Sequence, residues 1–316
     1  MNHTLRLPKI FGMALATLVN TPGATIKHEF LALDEGLVNL LYVNENAPAG
    51  NWVVPVGRPT PRDMQLVGGG RVLIGHDAGF SEFEIATGRK AKEVALYKGV
   101  TAARRLPGGN TLLAGVNLDG STGVVVLEID AANAVKRKTV FDGKYIRLLR
   151  ETAQGTFLMM NDSMIREGDR TGKILHEWTV PEFKHAWKAV RLPNRHLIAS
   201  AGYGAFMVEL DETGAVVRKF GAKGQTPPAV NPNFYATFQV LPNDHVVVAN
   251  WQGHGPGHGA SGVQLLEFDQ AGAIVWQWSE AKIISSLQGV LVLDGLNPAL
   301  LHDERTGVMA PLTAAR

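Results

Sequence analysis

Val208-Glu209-Leu210-Asp211-Glu212-Thr213-Gly214 decides the fold, because four further segments carry the same phrase. They are Glu82-Phe83-Glu84-Ile85-Ala86-Thr87-Gly88, Leu127-Glu128-Ile129-Asp130, Arg166-Glu167-Gly168-Asp169-Arg170-Thr171-Gly172 and Leu266-Glu267-Phe268-Asp269-Gln270-Ala271-Gly272. Each reads as a strand that ends in a turn, with Asp to bond its own backbone and Gly to supply a positive φ. An apolar strand follows each copy, as in Val216 to Phe220 and Ile274 to Trp278. The phrase-centred residues Glu84, Glu128, Glu167, Glu209 and Glu267 lie 44, 39, 42 and 58 residues apart. A carboxylate that recurs once per repeat serves the repeat, so these five read as structural.

A second phrase precedes the first. It is clearest in Arg105-Leu106-Pro107-Gly108-Gly109-Asn110-Thr111-Leu112-Leu113-Ala114, and returns around Leu192-Pro193-Asn194 and Leu241-Pro242-Asn243. This is a strand, a tight turn and a buried strand. Each repeat therefore holds four antiparallel strands, A to D from inside to outside. A period of about 40 to 50 residues with four strands per unit predicts an all-β β-propeller. Five full blades fall at about 61–99, 100–144, 145–184, 185–234 and 235–284. The C-terminal runs Leu287–Leu293 and Ala299–His302 read as strands A and B of a last blade, and Val38–Val43 and Asn51–Val56 as its strands C and D. Pairing of the two ends closes six four-stranded blades and removes two open sheet edges. Seven blades is the alternative if residues 20–60 make a fuller blade.

Composition bounds the function. The chain has 316 residues, of which 45% are hydrophobic and 19% charged, enough apolar surface for a large core. A formal charge of +2 gives no electrostatic case for nucleic acid as a partner. With no Cys, disulfides, Cys-ligated metal centres and Cys catalysis are excluded. No apolar run reaches the ~18 residues of a membrane span. Arg6 and Lys9 precede an apolar stretch, Ile10 to Val19, but Thr21-Pro22-Gly23-Ala24 is a poor cleavage site. Residues 1–24 read either as an export signal, which would place the protein in the periplasm or outside the cell, or as an N-terminal arm. Residues 25–316 read as one propeller domain.

The segments Leu106-Pro107-Gly108-Gly109-Asn110-Thr111-Leu112-Leu113 and Glu267-Phe268-Asp269-Gln270-Ala271-Gly272-Ala273-Ile274-Val275-Trp276 resemble blades of the PQQ-like and arylsulfotransferase-like propellers. The resemblance covers about residues 61–284 and implies architecture. It does not imply bound PQQ, since the chain lacks the Cys pair of the quinone enzymes and their repeated tryptophan motif. Nor does any His match the arylsulfotransferase motif.

Function is then read from convergence. The D-to-A and B-to-C connections rim one end of the channel, the default ligand funnel of a propeller. Entering strand A are Arg62, Tyr145, Arg147, His185, Lys188 and Tyr235; leaving strand B are His76, Asn161, Tyr203, Asn250 and Trp251, with His302 expected at the same level from the last blade. His76, His185, Tyr145 and Tyr235 are the candidate acid–base groups. Arg62, Arg147 and Lys188 would hold an anion, Tyr203 and Trp251 would stack on a ring, and Asn161, Asn250 and His302 would bind substrate. His196 and His245, in the A–B turns, should face the other end. The Gly-rich loop Gln252–Gly259 carries His254 and His258, which read as ligands for a divalent metal or as part of a lid. No other cofactor is indicated. The expected function is a lyase or hydrolase using a His acid or base on a small polar, sugar-like or carboxylated molecule. The alternative is a non-catalytic ligand-binding or protein-interaction propeller.

Overall fold

The computed structural model describes residues 25–312, so the expectation for residues 1–24 lies outside the described residues. The chain opens with β1 (Glu29–Asp34), β2 (Asn39–Asn44) and β3 (Trp52–Pro55). Blade 1 follows as β4 (Asp63–Gly68), β5 (Arg71–His76), β6 (Gly79–Glu84) and β7 (Lys90–Ala95). Blade 2 is β8 (Val100–Arg105), β9 (Thr111–Val116), β10 (Val124–Ile129) and β11 (Val135–Phe141). Blade 3 is β12 (Leu149–Glu151), β13 (Phe157–Asn161), β14 (Met164–Gly168) and β15 (Ile174–Thr179). Blade 4 is β16 (Ala189–Arg191), β17 (Leu197–Ser200), β18 (Met207–Leu210) and β19 (Val216–Phe220). Blade 5 is β20 (Phe234–Val240), β21 (Val246–Trp251), β22 (Leu265–Phe268) and β23 (Ile274–Trp278). Then come β24 (Leu287–Val292), β25 (His302–Thr306) and β26 (Val308–Pro311).

The protein is a propeller of six four-stranded antiparallel blades, closed by pairing of its two ends. Inner strands such as β21 are buried at every residue because blades cover both of their faces, whereas the outer strand β7 mostly alternates between half-buried and exposed positions.

Closure differs from the two-plus-two split read from the sequence. The last blade runs β24-β1-β2-β3, one strand from the C-terminus and three from the N-terminus. The apolar run Phe30–Leu33 pairs with β24 from Phe30 opposite Val292 down to Asp34 opposite Leu287. That pairing occupies the edge a second C-terminal strand would need. Residues after Asn297 instead form the hairpin β25–β26, which touches β20 through one parallel bridge, Val240 to Val308. Val67, beside the A–B turn of blade 1, bridges Leu301. The hairpin therefore plugs the channel at the end where the A–B turns lie.

The plug carries Asp303 and Glu304 into a buried cluster of charge. Arg104 donates to Asp303, and Arg150 to Glu304 and, at 2.9 Å, to Asp63. Lys188 Nζ lies 2.6 Å from Glu304 and 2.5 Å from the Phe238 carbonyl. Three carboxylates and three cations, all nearly inaccessible, thus join strand A of blades 1 to 4 to the plug.

The repeated glutamates clasp neighbouring blades. Glu82 takes Arg105 at 2.8 Å, Glu128 takes Arg170 at 3.3 Å, Glu167 takes Arg191 at 2.6 Å and Glu267 takes His28 at 2.8 Å. Glu209 instead holds His196 and Arg218 inside blade 4. In blade 1 the equivalent residue is Glu82, not Glu84. The β-bulge follows Glu82 as it follows Glu209, but blade 1 has one extra residue between bulge and glycine.

Candidate functional site

At the end opposite the plug, the D-to-A and B-to-C connections surround a cavity of about 200 Å³. Arg62 reaches it from the start of β4, Arg147 from before β12, and His185 and Trp187 from before β16. Phe234 opens β20, Trp251 ends β21, and Tyr203 follows β17. Glu35, just after β1, and Gln288, in β24, complete the lining with Thr60 and His254.

One wall is aromatic. Phe234 sits edge-on to Trp187 (5.5 Å between ring centroids), Tyr203 (4.7 Å) and Trp251 (5.4 Å). Such edge-to-face packing fixes rings without filling the space in front of them. Gly202 lets Tyr203 follow a tight turn: φ is +60°, and a Cβ there would lie 2.3 Å from the carbonyls of Lys184 and His185.

Two guanidiniums face these rings. Arg147 lies 4.4 Å from the Tyr145 ring and 5.4 Å from Trp187, and its buried Nε has no partner. Burial, and then the charge of Arg147, pull Arg62 down to about 10. Neither arginine is in ion-pair contact with a carboxylate among the described residues.

Two imidazoles complete the rim. His254 Nδ1 lies 3.0 Å from Glu35 Oε1, and Trp251 Nε1 donates to Glu35 Oε2 at 3.1 Å. His185 Nδ1 lies 2.8 Å from the Tyr145 hydroxyl, and its backbone N–H donates to Asp162 at 3.0 Å. Burial raises the Tyr145 phenol above its ordinary range, so it stays neutral.

Arg62, Arg147, His185, Tyr203, Trp251 and His254 thus meet at one cavity, with Tyr145 directly behind His185. The other expected residues lie outside this cavity, and for those within strands one reason is that side chains alternate from face to face. His76 packs toward Ser81 in β6, 3.3 Å away, and burial lowers its pKa. Tyr235 is fully buried between blades 4 and 5 and donates to the Gly221 carbonyl at 2.7 Å. Asn250 donates to the carbonyls of Val230 and Val263, tying the D-to-A connection that leads into blade 5 to the B-to-C connection of that blade. Lys188 faces the channel but belongs to the plug cluster. Asn161 ends β13 outside the lining. His302 is on the plug, at the opposite end, with Nδ1 near the Leu300 carbonyl at 3.0 Å.

His254 and His258 do not converge on a common point. His258 Nε2 faces the His254 carbonyl at 3.2 Å while His254 Nδ1 faces Glu35. Among the described residues no three His, Cys, Asp or Glu side chains come together as metal ligands. The loop itself is tied to the connection that leads into β24: Ser286 Oγ accepts from the backbone of Gln252 and Gly253, and Ser285 Oγ from that of His258.

Glu35, Trp187, Phe234, Thr60 and Gln288 were not anticipated. Glu35 follows Phe30–Asp34, a strand-B run whose role the two-plus-two split had given to Ala299–His302. A larger groove of about 420 Å³ lies at the plug end, but its Arg218 is already paired with Glu209 at 2.6 Å.

No protein-family model matches the sequence, and no curated protein matches it. Among solved structures, a protein of unknown function from Bacteroides caccae is 22% identical over 84% of this chain and 99% of its own, with a TM-score of 0.69. A streptogramin B lyase (11% identity, TM-score 0.50) covers 84% of this chain and 93% of its own. A catalytically inactive virginiamycin B lyase from Staphylococcus aureus with quinupristin (10%, TM-score 0.51) covers 81% and 86%. At these identities the likeness is one of fold, and it carries the resemblance as far as a β-propeller.

Proposed function

We propose that the protein is a lyase or hydrolase that acts on a small polar molecule in this cavity by imidazole acid–base chemistry. One observation carries the reading: His254 is held through Nδ1 by Glu35, whose other oxygen is held by Trp251. A carboxylate on one ring nitrogen fixes the tautomer, leaves Nε2 as the basic atom and stabilises the imidazolium once a proton is taken. His185, backed by the neutral Tyr145 hydroxyl, is the partner acid, and Arg62 and Arg147 would stabilise negative charge that develops on the substrate. Two structures of the same fold are lyases by name, so elimination and hydrolysis are the two reactions to assay.

The test is consumption of one compound from a small-molecule extract, followed by mass spectrometry. His254→Ala and Glu35→Gln should each slow turnover of that compound by roughly 10²–10⁴-fold while its binding persists. Turnover at the parent rate in both variants would sink the proposal.

A further inference from the structure

We infer that the cavity at the open end of the channel takes a monoanionic aromatic acid, one planar ring carrying one carboxylate. The inference rests on the reading of this cavity as the ligand site, and it names the ligand class.

Charge comes first. Among the described residues the lining holds two guanidiniums, Arg62 and Arg147, and one carboxylate, Glu35. Both oxygens of Glu35 are already engaged by Trp251 and His254. Neither arginine is in ion-pair contact, the buried Nε of Arg147 has no partner, and the two cations disfavour each other. Counting the guanidiniums against the carboxylate, the lining keeps one positive charge in excess, which one carboxylate balances. A planar guanidinium fork suits a carboxylate in particular.

Shape comes second. Trp187, Phe234, Tyr203 and Trp251 form one continuous wall beside these donors. A sugar ring there would leave most of its hydroxyls facing carbon, whereas an aromatic ring loses no hydrogen bond. The cavity, about 200 Å³, lies below the ~300–1,000 Å³ of pockets for drug-sized ligands, which suits a small, one-ring molecule.

Benzoate is the probe, with binding followed by quenching of tryptophan fluorescence and by calorimetry on the full chain. We expect saturable binding of benzoate, with benzamide, cyclohexanecarboxylate and the dianion phthalate each at least tenfold weaker. Arg62→Gln and Arg147→Gln should weaken benzoate tenfold or more. Because both arginines are unpaired, Arg62→Gln should unfold at or above the parent temperature, which separates lost binding from lost folding; Arg147→Lys, which keeps the charge, should retain part of the affinity. Equal affinity for benzoate and benzamide overturns the anion, and equal affinity for benzoate and cyclohexanecarboxylate overturns the ring. Glucose binding in place of benzoate overturns this inference while leaving the cavity as a ligand site. Failure of the acid–base proposal is read separately, as unchanged turnover in His254→Ala with benzoate binding intact.

Discussion

Replacing Glu304 by Ala removes the one carboxylate of the plug that meets both Arg150 and Lys188. Burial pushes the Glu304 carboxyl up, but Lys188, Arg150 and Arg104 outweigh burial and hold it down at about 2, against 4.5 for an ordinary glutamate. At ~1.4 kcal/mol per tenfold, that difference favours the charged, folded form by about 3 kcal/mol at pH 7. The figure agrees with the ~3–5 kcal/mol lost when one partner of a buried pair is deleted. Because the folded pKa is lowered, the contribution is present above pH 4.5 and is lost as pH falls through about 2. Lys188 adds a second signature. Burial brings it to about 8 even with Glu304 beside it, and without Glu304 it falls further. A lowered lysine costs stability until the unfolded lysine also loses its proton, so the variant's deficit should narrow between pH 7 and about pH 9. Equilibrium urea unfolding followed by tryptophan fluorescence reads all of this. The double variant Lys188→Met, Glu304→Leu should recover most of the loss, since an apolar pair of similar volume replaces the ions. A Glu304→Ala protein within about 1 kcal/mol of the parent at pH 7 would refute the reasoning. So would a double variant as unstable as the single one.

His28 lies between Glu267 (2.8 Å) and Asp294 (2.5 Å); burial lowers its pKa, but the two carboxylates prevail and raise it above 6.5. The stability it contributes is therefore full below pH 6.5 and lost as pH rises through the raised value, so His28→Gln should cost about 1–3 kcal/mol at pH 5.5 and clearly less at pH 8.5 in urea titrations. Tyr235→Phe strands the buried Gly221 carbonyl and should cost about 1 kcal/mol in thermal unfolding while leaving benzoate affinity and turnover unchanged, as suits a packing residue and not a catalytic one.

The fold was legible because the signals for it are local and repeated. A strand, a turn (Asp-x-x-Gly in three of the five copies) and a further strand recur at spacings of 39 to 58 residues, and the ends of the chain supply complementary pieces. The split of those pieces was not legible. Ala299–His302 and Phe30–Leu33 are both short apolar runs, and only pairing in three dimensions chooses between them. What chose was length and continuity: β1 pairs with β24 from Phe30 to Asp34 across one bulge, whereas the segment after Pro298 carries Asp303 and Glu304, whose carboxylates meet cations in the channel. The channel supplies those cations from Arg104, Arg150 and Lys188, so the two acids seat this segment as the plug.

The site follows the same logic one level down. Topology alone says which connections rim the cavity, and Arg62, Arg147, His185, Tyr203, Trp251 and His254 follow from it. Topology does not say which way a side chain leaves the strand, and a shift of one residue reverses it. Tyr235 and Phe234 show the consequence. They are adjacent at the start of β20, yet Phe234 faces the cavity and Tyr235 the inter-blade core, where Phe268 and the Gly221 carbonyl receive it. The polar residue read as functional and its direction inverts that reading, while the apolar one, which the sequence did not single out, lines the cavity. A phenol can be buried once its hydroxyl finds a carbonyl, while a ligand with an aromatic ring needs an apolar wall. Residue polarity is therefore a poor guide to a site whose ligand is itself half apolar. The better guide is the pair of arginines, since a guanidinium left without a carboxylate beside four aromatic rings has its counter-charge still to come.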